Sequence, residues 1–127
     1  MDTTKREELI RNYIAGYNAF DIDRMVAHFD EAVLFENCSG GVVNLSLSGL
    51  DAFREQAERA KEYFSTRTQT IRSFAHREHE TEVAVDYHAL LAIDLPGGPK
   101  RGEALQLQGR SIFHFSGARI TRLTDIS

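Results

Sequence analysis

A carboxylate in a short apolar strand can do acid/base chemistry, and Glu36 in Val33-Leu34-Phe35-Glu36 is such a group. Against an apolar cavity its pKa would rise toward the working pH, and it could then take and return a proton. Side chains alternate across a strand, so Phe35 and Glu36 point to opposite faces. The same spacing therefore allows Glu36 in a cavity or Glu36 in solvent with Phe35 inward. Tyr13 and Tyr17 are one helical turn apart on an apolar stripe, where each is a core aromatic or a pocket wall with a hydroxyl to offer. Asn37 fits a turn better than a ligand contact.

Other chemistries find less support. His76 and His79 lie three apart in a strand-like segment and so point to opposite faces. A zinc site needs three or four converging ligands, so no metal is expected. Cys38 has no base nearby in Glu36-Asn37-Cys38-Ser39 and reads as a free thiol. Gly40-Gly41 and Gly97-Gly98 are turns without the strand-to-helix pattern of a phosphate loop, and no cofactor is expected.

The elements that must position these residues follow from composition and periodicity. The chain has 127 residues, 42% apolar and 27% charged, which suits one domain over 1–127 with its own core. Its net charge is −4 with basic residues scattered, which argues against nucleic acid or an anionic membrane as partner. One cysteine, an N-terminus without an apolar run and no span-length apolar segment together suggest a soluble protein of a reducing cytoplasm.

Leu9, Ile10, Tyr13, Ile14 and Tyr17 recur at helical spacing, and Thr4-Lys5-Arg6-Glu7 fits a capping box that starts the helix. Ile22, Met25, Val26 and Phe29 begin a second, shorter helix capped by Asp21 or Asp23. A strand at Val33 to Glu36, a turn at Ser39 to Gly41 and an alternating strand from Val42 to Leu47 make a hairpin. Leu50, Phe53, Ala57, Ala60 and Phe64 give the third helix. Strands follow from Thr66 to Glu78, Thr81 to Leu95, Leu105 to Phe115 and Ile120 to Ile126, with Pro96-Gly97-Gly98-Pro99 as the strongest turn signal. This order predicts an α+β fold, a cone-shaped curved, mostly antiparallel or mixed sheet packed on three N-terminal helices, with a ligand site at its mouth.

The stretches Tyr13 to Phe29, Asp30 to Asn37, Gly49 to Phe53 and Gly109 to Phe115 resemble the nuclear transport factor 2-like (cystatin-like) superfamily, which includes ketosteroid isomerase and the SnoaL-like polyketide cyclases. The resemblance covers nearly the whole chain and is specific for fold, which hosts unrelated chemistries. Aligned with ketosteroid isomerase, Tyr13 falls on an oxyanion-binding tyrosine and Glu36 on the catalytic base, while Ser111 stands where the isomerase keeps a second, protonated acid. The resemblance thus implies a cofactor-independent isomerase or cyclase acting on a hydrophobic carbonyl compound, with Glu36 and Tyr13 as catalytic residues. The competing reading is a non-catalytic ligand-binding or structural dimer domain, favoured by the missing second acid. In either case Tyr17, Phe20, Phe35, Phe53, Phe64, Tyr87, Leu107, Ser111 and Phe113 are expected to line a pocket for a small hydrophobic ligand. His88, Arg110 and His114 share the even-numbered strand face with Asp86, and the resemblance implies a homodimer through that face. A His-Asp dyad, as in the dehydratase relative, would need His76 or His88 inside the cone, which their strand parity opposes.

Overall fold

The computed structural model describes residues 2–127. Helix α1 (Thr3–Asn18) meets α2 (Ile22–Val26) at a tight corner, and α3 (Leu50–Ala60) follows the hairpin of β1 (Phe29–Ser39) and β2 (Val42–Ser48). After a 3-10 turn at Lys61–Tyr63 come β3 (Phe64–His76), β4 (Glu80–Leu91), β5 (Ala104–Ser116) and β6 (Arg119–Ile126). The six strands form one sheet in the order β2-β1-β6-β5-β4-β3. Among the described residues the β1–β6 pair alone is parallel. The fold is therefore α+β, with a curved, unclosed, mostly antiparallel sheet carrying the helices on its inner face.

The apolar stripe of α1 explains that packing. Leu9, Ile10, Tyr13 and Ile14 are buried against Val83, Val85, Phe113, Phe115 and Leu123 of the sheet. Each such side chain contributes about 1.5–3 kcal/mol on burial. Gly16 lets the two helices close at the corner, since a Cβ there would lie 2.8 Å from the Met25 backbone nitrogen.

Boundaries differ from the sequence reading where local chemistry competed. Asp2, not Thr4, caps α1, its carboxylate accepting from the Lys5 amide at 2.7 Å. Phe29 begins β1 instead of ending α2, and Phe64 begins β3 instead of ending α3. β4 stops at Leu91, four residues short of the expected Leu95. An irregularity between Ile71 and Ser73 shifts the face of β3. His76 consequently lies on the helix side, with Nδ1 2.9 Å from the Thr81 hydroxyl and Nε2 2.8 Å from Glu7 of α1. Parity counted straight through the strand had placed it outside. No helix among the described residues is long and apolar enough to cross a membrane.

Candidate functional site

Three adjacent strands bring three polar side chains side by side on the inner face. Asn37 of β1 is paired with Asp125 of β6, and Asp125 with Ser111 of β5. Alternation explains why Asp125 points inward, since buried Leu123 precedes it by two residues. The Ser111 hydroxyl donates to the Asp125 carboxylate at 2.7 Å. Asp125 is shared by two adjoining cavities of about 340 and 170 Å³, as are Tyr17 and Asn37.

The larger cavity is walled by Phe64, Val85, Tyr87, Leu105, Leu107, Gly109 and Ser111. Gly109 lets the end of β6 pass close to β5 at the cavity's edge, because a Cβ there would lie 2.8 Å from the Ile126 carbonyl oxygen. Leu107 forms an exposed rim. The smaller cavity runs under α3, between Tyr13, Met25, Phe35, Phe53, Ala57 and Arg67.

Burial pushes the Asp125 carboxyl up to about 6, although the Ser111 hydrogen bond works in the other direction. The group is thus poised to hold or release a proton near neutral pH. Tyr13 is pushed well above its ordinary value by burial first and by the negative charge of Asp125 next. Its ring packs between Phe29 at 5.5 Å and Phe113 at 5.6 Å. Tyr17 is also well above its ordinary value, from burial and from Tyr87, whose hydroxyl is 2.8 Å away. All three tyrosines, Tyr87 included, stay protonated and can donate hydrogen bonds.

Tyr17, Phe64, Tyr87, Leu107 and Ser111 stand at the larger cavity, and Tyr13, Tyr17, Phe35 and Phe53 at the smaller. Phe20 and Phe113 line neither. Phe113 is fully buried behind Tyr13, and Phe20 rests on the guanidinium of Arg67. Glu36 must be moved off the site: Phe35 turns inward onto Phe53, ring centroids 5.3 Å apart, so alternation sends Glu36 to the outer face. There its carboxylate is ion-paired with Arg122. Hydrophobicity decides the register, as an aromatic gains more than a carboxylate from the core.

Asp125 escaped the sequence reading although its signal was present, an acid in phase with Leu123 on a strand. Arg67 carried no such signal, because only the register of β3 reveals that it is buried. Among the described residues no three His, Cys, Asp or Glu side chains converge as a metal site requires.

The sequence matches the profile of the SnoaL-like domain over residues 10–123. No curated protein matches. Among solved structures, a candidate SnoaL-like polyketide cyclase from Jannaschia sp. CCS1 superposes with a TM-score of 0.81 at 10% identity, over 96% of this chain and 84% of that one. A candidate polyketide cyclase from Xanthomonas campestris pv. campestris gives 0.77 at 19% identity, over 98% and 90%. A cystatin-fold protein without assigned function from Novosphingobium aromaticivorans gives 0.73 at 18% identity, over 94% and 96%. At these identities the structural likeness establishes the fold alone.

Proposed function

The chain belongs to the SnoaL-like domain family, and on that premise we propose that it is a cofactor-independent acid/base catalyst of the isomerase or cyclase kind, acting on a hydrophobic carbonyl compound. Asp125 takes the place that the sequence reading gave to Glu36. The observation that carries the proposal is its carboxyl, raised to about 6 by burial, fixed by Ser111 and shared by both cavities.

The ionised Asp125 removes a proton from the carbon next to a carbonyl, and the electron pair moves onto the carbonyl oxygen. Tyr13, a neutral donor in the same cavity, hydrogen-bonds that developing charge. Where the compound carries a β,γ double bond, Asp125 then returns the proton at the γ carbon of the dienolate, which moves the double bond into conjugation and isomerises the compound. Alternatively, the enolate carbon attacks a second carbonyl carbon, whose oxygen takes the proton and a ring closes.

The test uses 2-tetralone in heavy water, with α-deuterium incorporation followed by proton NMR. The wild-type protein should accelerate exchange, Asp125→Asn should lose the acceleration and Glu36→Gln should keep it. No acceleration by the wild type, or equal acceleration by Asp125→Asn, would leave the binding-domain reading in possession. That reading draws support from Ser111, which supplies a hydroxyl where a second acid would be needed.

Pairing of two copies through the outer sheet face is proposed on its pattern of charge. Arg110 and Arg77 both reach Glu82, and Glu80 lies between Arg77 and His114. Arg110→Glu should lower the mass measured by sedimentation at low micromolar concentration; an unchanged dimer would remove this face from the interface.

A further inference from the structure

Arg67 is a charged side chain only 3% exposed, yet no carboxylate pairs with it among the described residues. A buried cation without an anion is costly, and such groups are ordinarily paired. The protein offers Arg67 only partial compensation. Its Nε donates to the Tyr17 carbonyl at 2.8 Å, one terminal nitrogen reaches the Met25 sulfur at 4.0 Å, and its central carbon lies 3.8 Å from the Tyr17 ring and 4.5 Å from the Phe20 ring. The other terminal nitrogen has no protein acceptor, and the side chain lines the smaller cavity.

The backbone around this arginine is specially shaped. Helix α1 ends with Asp21 N–H bonded to Gly16 O at 2.8 Å and Phe20 N–H to Tyr17 O at 3.2 Å. That pair of bonds puts the residue between them in the left-handed region, where glycine is usual. Here the residue is Phe20, at φ +57°. A bulky residue in that conformation is strained, and its ring bears directly on the guanidinium. The chain thus spends backbone energy to fix a cation that no carboxylate neutralises.

We propose that Arg67 is the specificity-determining residue of the cavity and that the natural ligand is a hydrophobic carbonyl compound bearing an anionic oxygen, a carboxylate or an ionised enol. The Tyr17 and Phe20 rings and the Tyr17 carbonyl hold the guanidinium in place and leave a terminal nitrogen to be satisfied, and a guanidinium is suited to the two oxygens of a planar anion. Arg67 and Asp125 line the same cavity of about 170 Å³ without forming an ion pair. A ligand between them would set its anionic end on Arg67 and its reacting carbon toward Asp125. The inference rests on the proposed acid/base reading only for this second placement.

Affinities of two probe pairs are measured by titration calorimetry at pH 7.5: 2-naphthoate against 2-acetylnaphthalene, and 2-hydroxy-1,4-naphthoquinone against its 2-methoxy ether. The wild-type protein should favour the anionic member by roughly tenfold or more in at least one pair. The pair with the larger ratio tells a carboxylate from an enolate ligand. Arg67→Met should lose the preference while still binding the neutral members, and Arg67→Lys should keep part of it. Asp125→Asn should retain it, so failure of the catalytic reading leaves this result standing. Equal affinities within both pairs, no anion binding up to millimolar concentration, or an undiminished preference in Arg67→Met would each overturn the proposal. The wild-type measurement decides it even if Arg67→Met does not fold.

Discussion

Glu36 and Asp125 lie one residue apart along the same parallel ladder, where Glu36 faces Thr124 and Asn37 faces Asp125 across β1 and β6, yet they end in opposite surroundings. On the outer face Glu36 is paired with Arg122, a charged partner that is itself partly in solvent. On the inner face Asp125 accepts from the Ser111 hydroxyl, beside cavities walled mainly by apolar and tyrosine side chains together with Asn37 and Arg67. Two carboxylates of similar chemistry are thus divided by the parity of a strand, one ion-paired on the outer face and one buried beside the cavities. Placement on a face, more than residue type, sets the surroundings of each charge.

The widest separation between the two should appear in catalysis. Removing a general base typically costs 10²–10⁴-fold. Asp125→Asn should therefore lower 2-tetralone exchange by about that factor at pH 7.5, whereas Glu36→Gln should change it by less than about twofold. Equal losses would erase the distinction between the faces.

The next effect is on stability. Folding raises the Asp125 pKa from 3.8 to about 6, so the folded chain holds this proton more tightly than the unfolded chain does. Its contribution is fully present below pH 3.8, declines as pH rises through about 6 and is gone above that. At 1.36 kcal/mol per pH unit, this interval corresponds to ~3 kcal/mol. Asp125→Asn should accordingly gain stability over the wild type as pH rises from 4 to 7.5, by up to about that amount in urea denaturation. A pH-independent difference between the two proteins would show that burial does not strain this carboxyl.

Adjacent residues on β5 sharpen the comparison further. Gly109→Ala sets a Cβ 2.8 Å from the Ile126 carbonyl, and overpacking of this kind costs about 1–3 kcal/mol. It should also weaken binding of 2-acetylnaphthalene, because the shifted end of β6 carries Asp125. Arg110→Ala, on the outer side of the same strand, should cost under about 1 kcal/mol, since its pairing with Glu82 is half-exposed. Calorimetric unfolding of both variants would reveal whether the inner face is the less forgiving one. A comparably small effect is expected for Glu36→Gln, about 1 kcal/mol, because the pair is partly buried but the amide oxygen that replaces the carboxylate can still accept from Arg122.

The element order was legible because each signal was local. A run of Leu9, Ile10, Tyr13 and Ile14 can bury one face only as a helix, and Pro96-Gly97-Gly98-Pro99 must interrupt a strand. The site was less legible. The cavity aromatics Tyr17, Phe64 and Tyr87 stood out by type, but Arg67 required the register of β3, which no periodicity gives. Shifts between Ile71 and Ser73 of β3 and between Ile120 and Arg122 of β6 exchange faces within a strand, so parity counted from one end fails at the other.

By itself, the sequence determined the helices, the hairpins, the α+β class and the family resemblance, because periodicity, capping and turn residues act over a few neighbouring positions. Only the tertiary structure decided which acid faces the cavity and that a cation lies buried beside it. Those outcomes depend on competition for the core between distant segments: Phe35 takes the inner side of β1 by packing on Phe53, and Leu123 carries Asp125 inward with it. The energy of a charge is set by everything that surrounds it, and those surroundings are assembled from α1, β1, β3, β5 and β6 together.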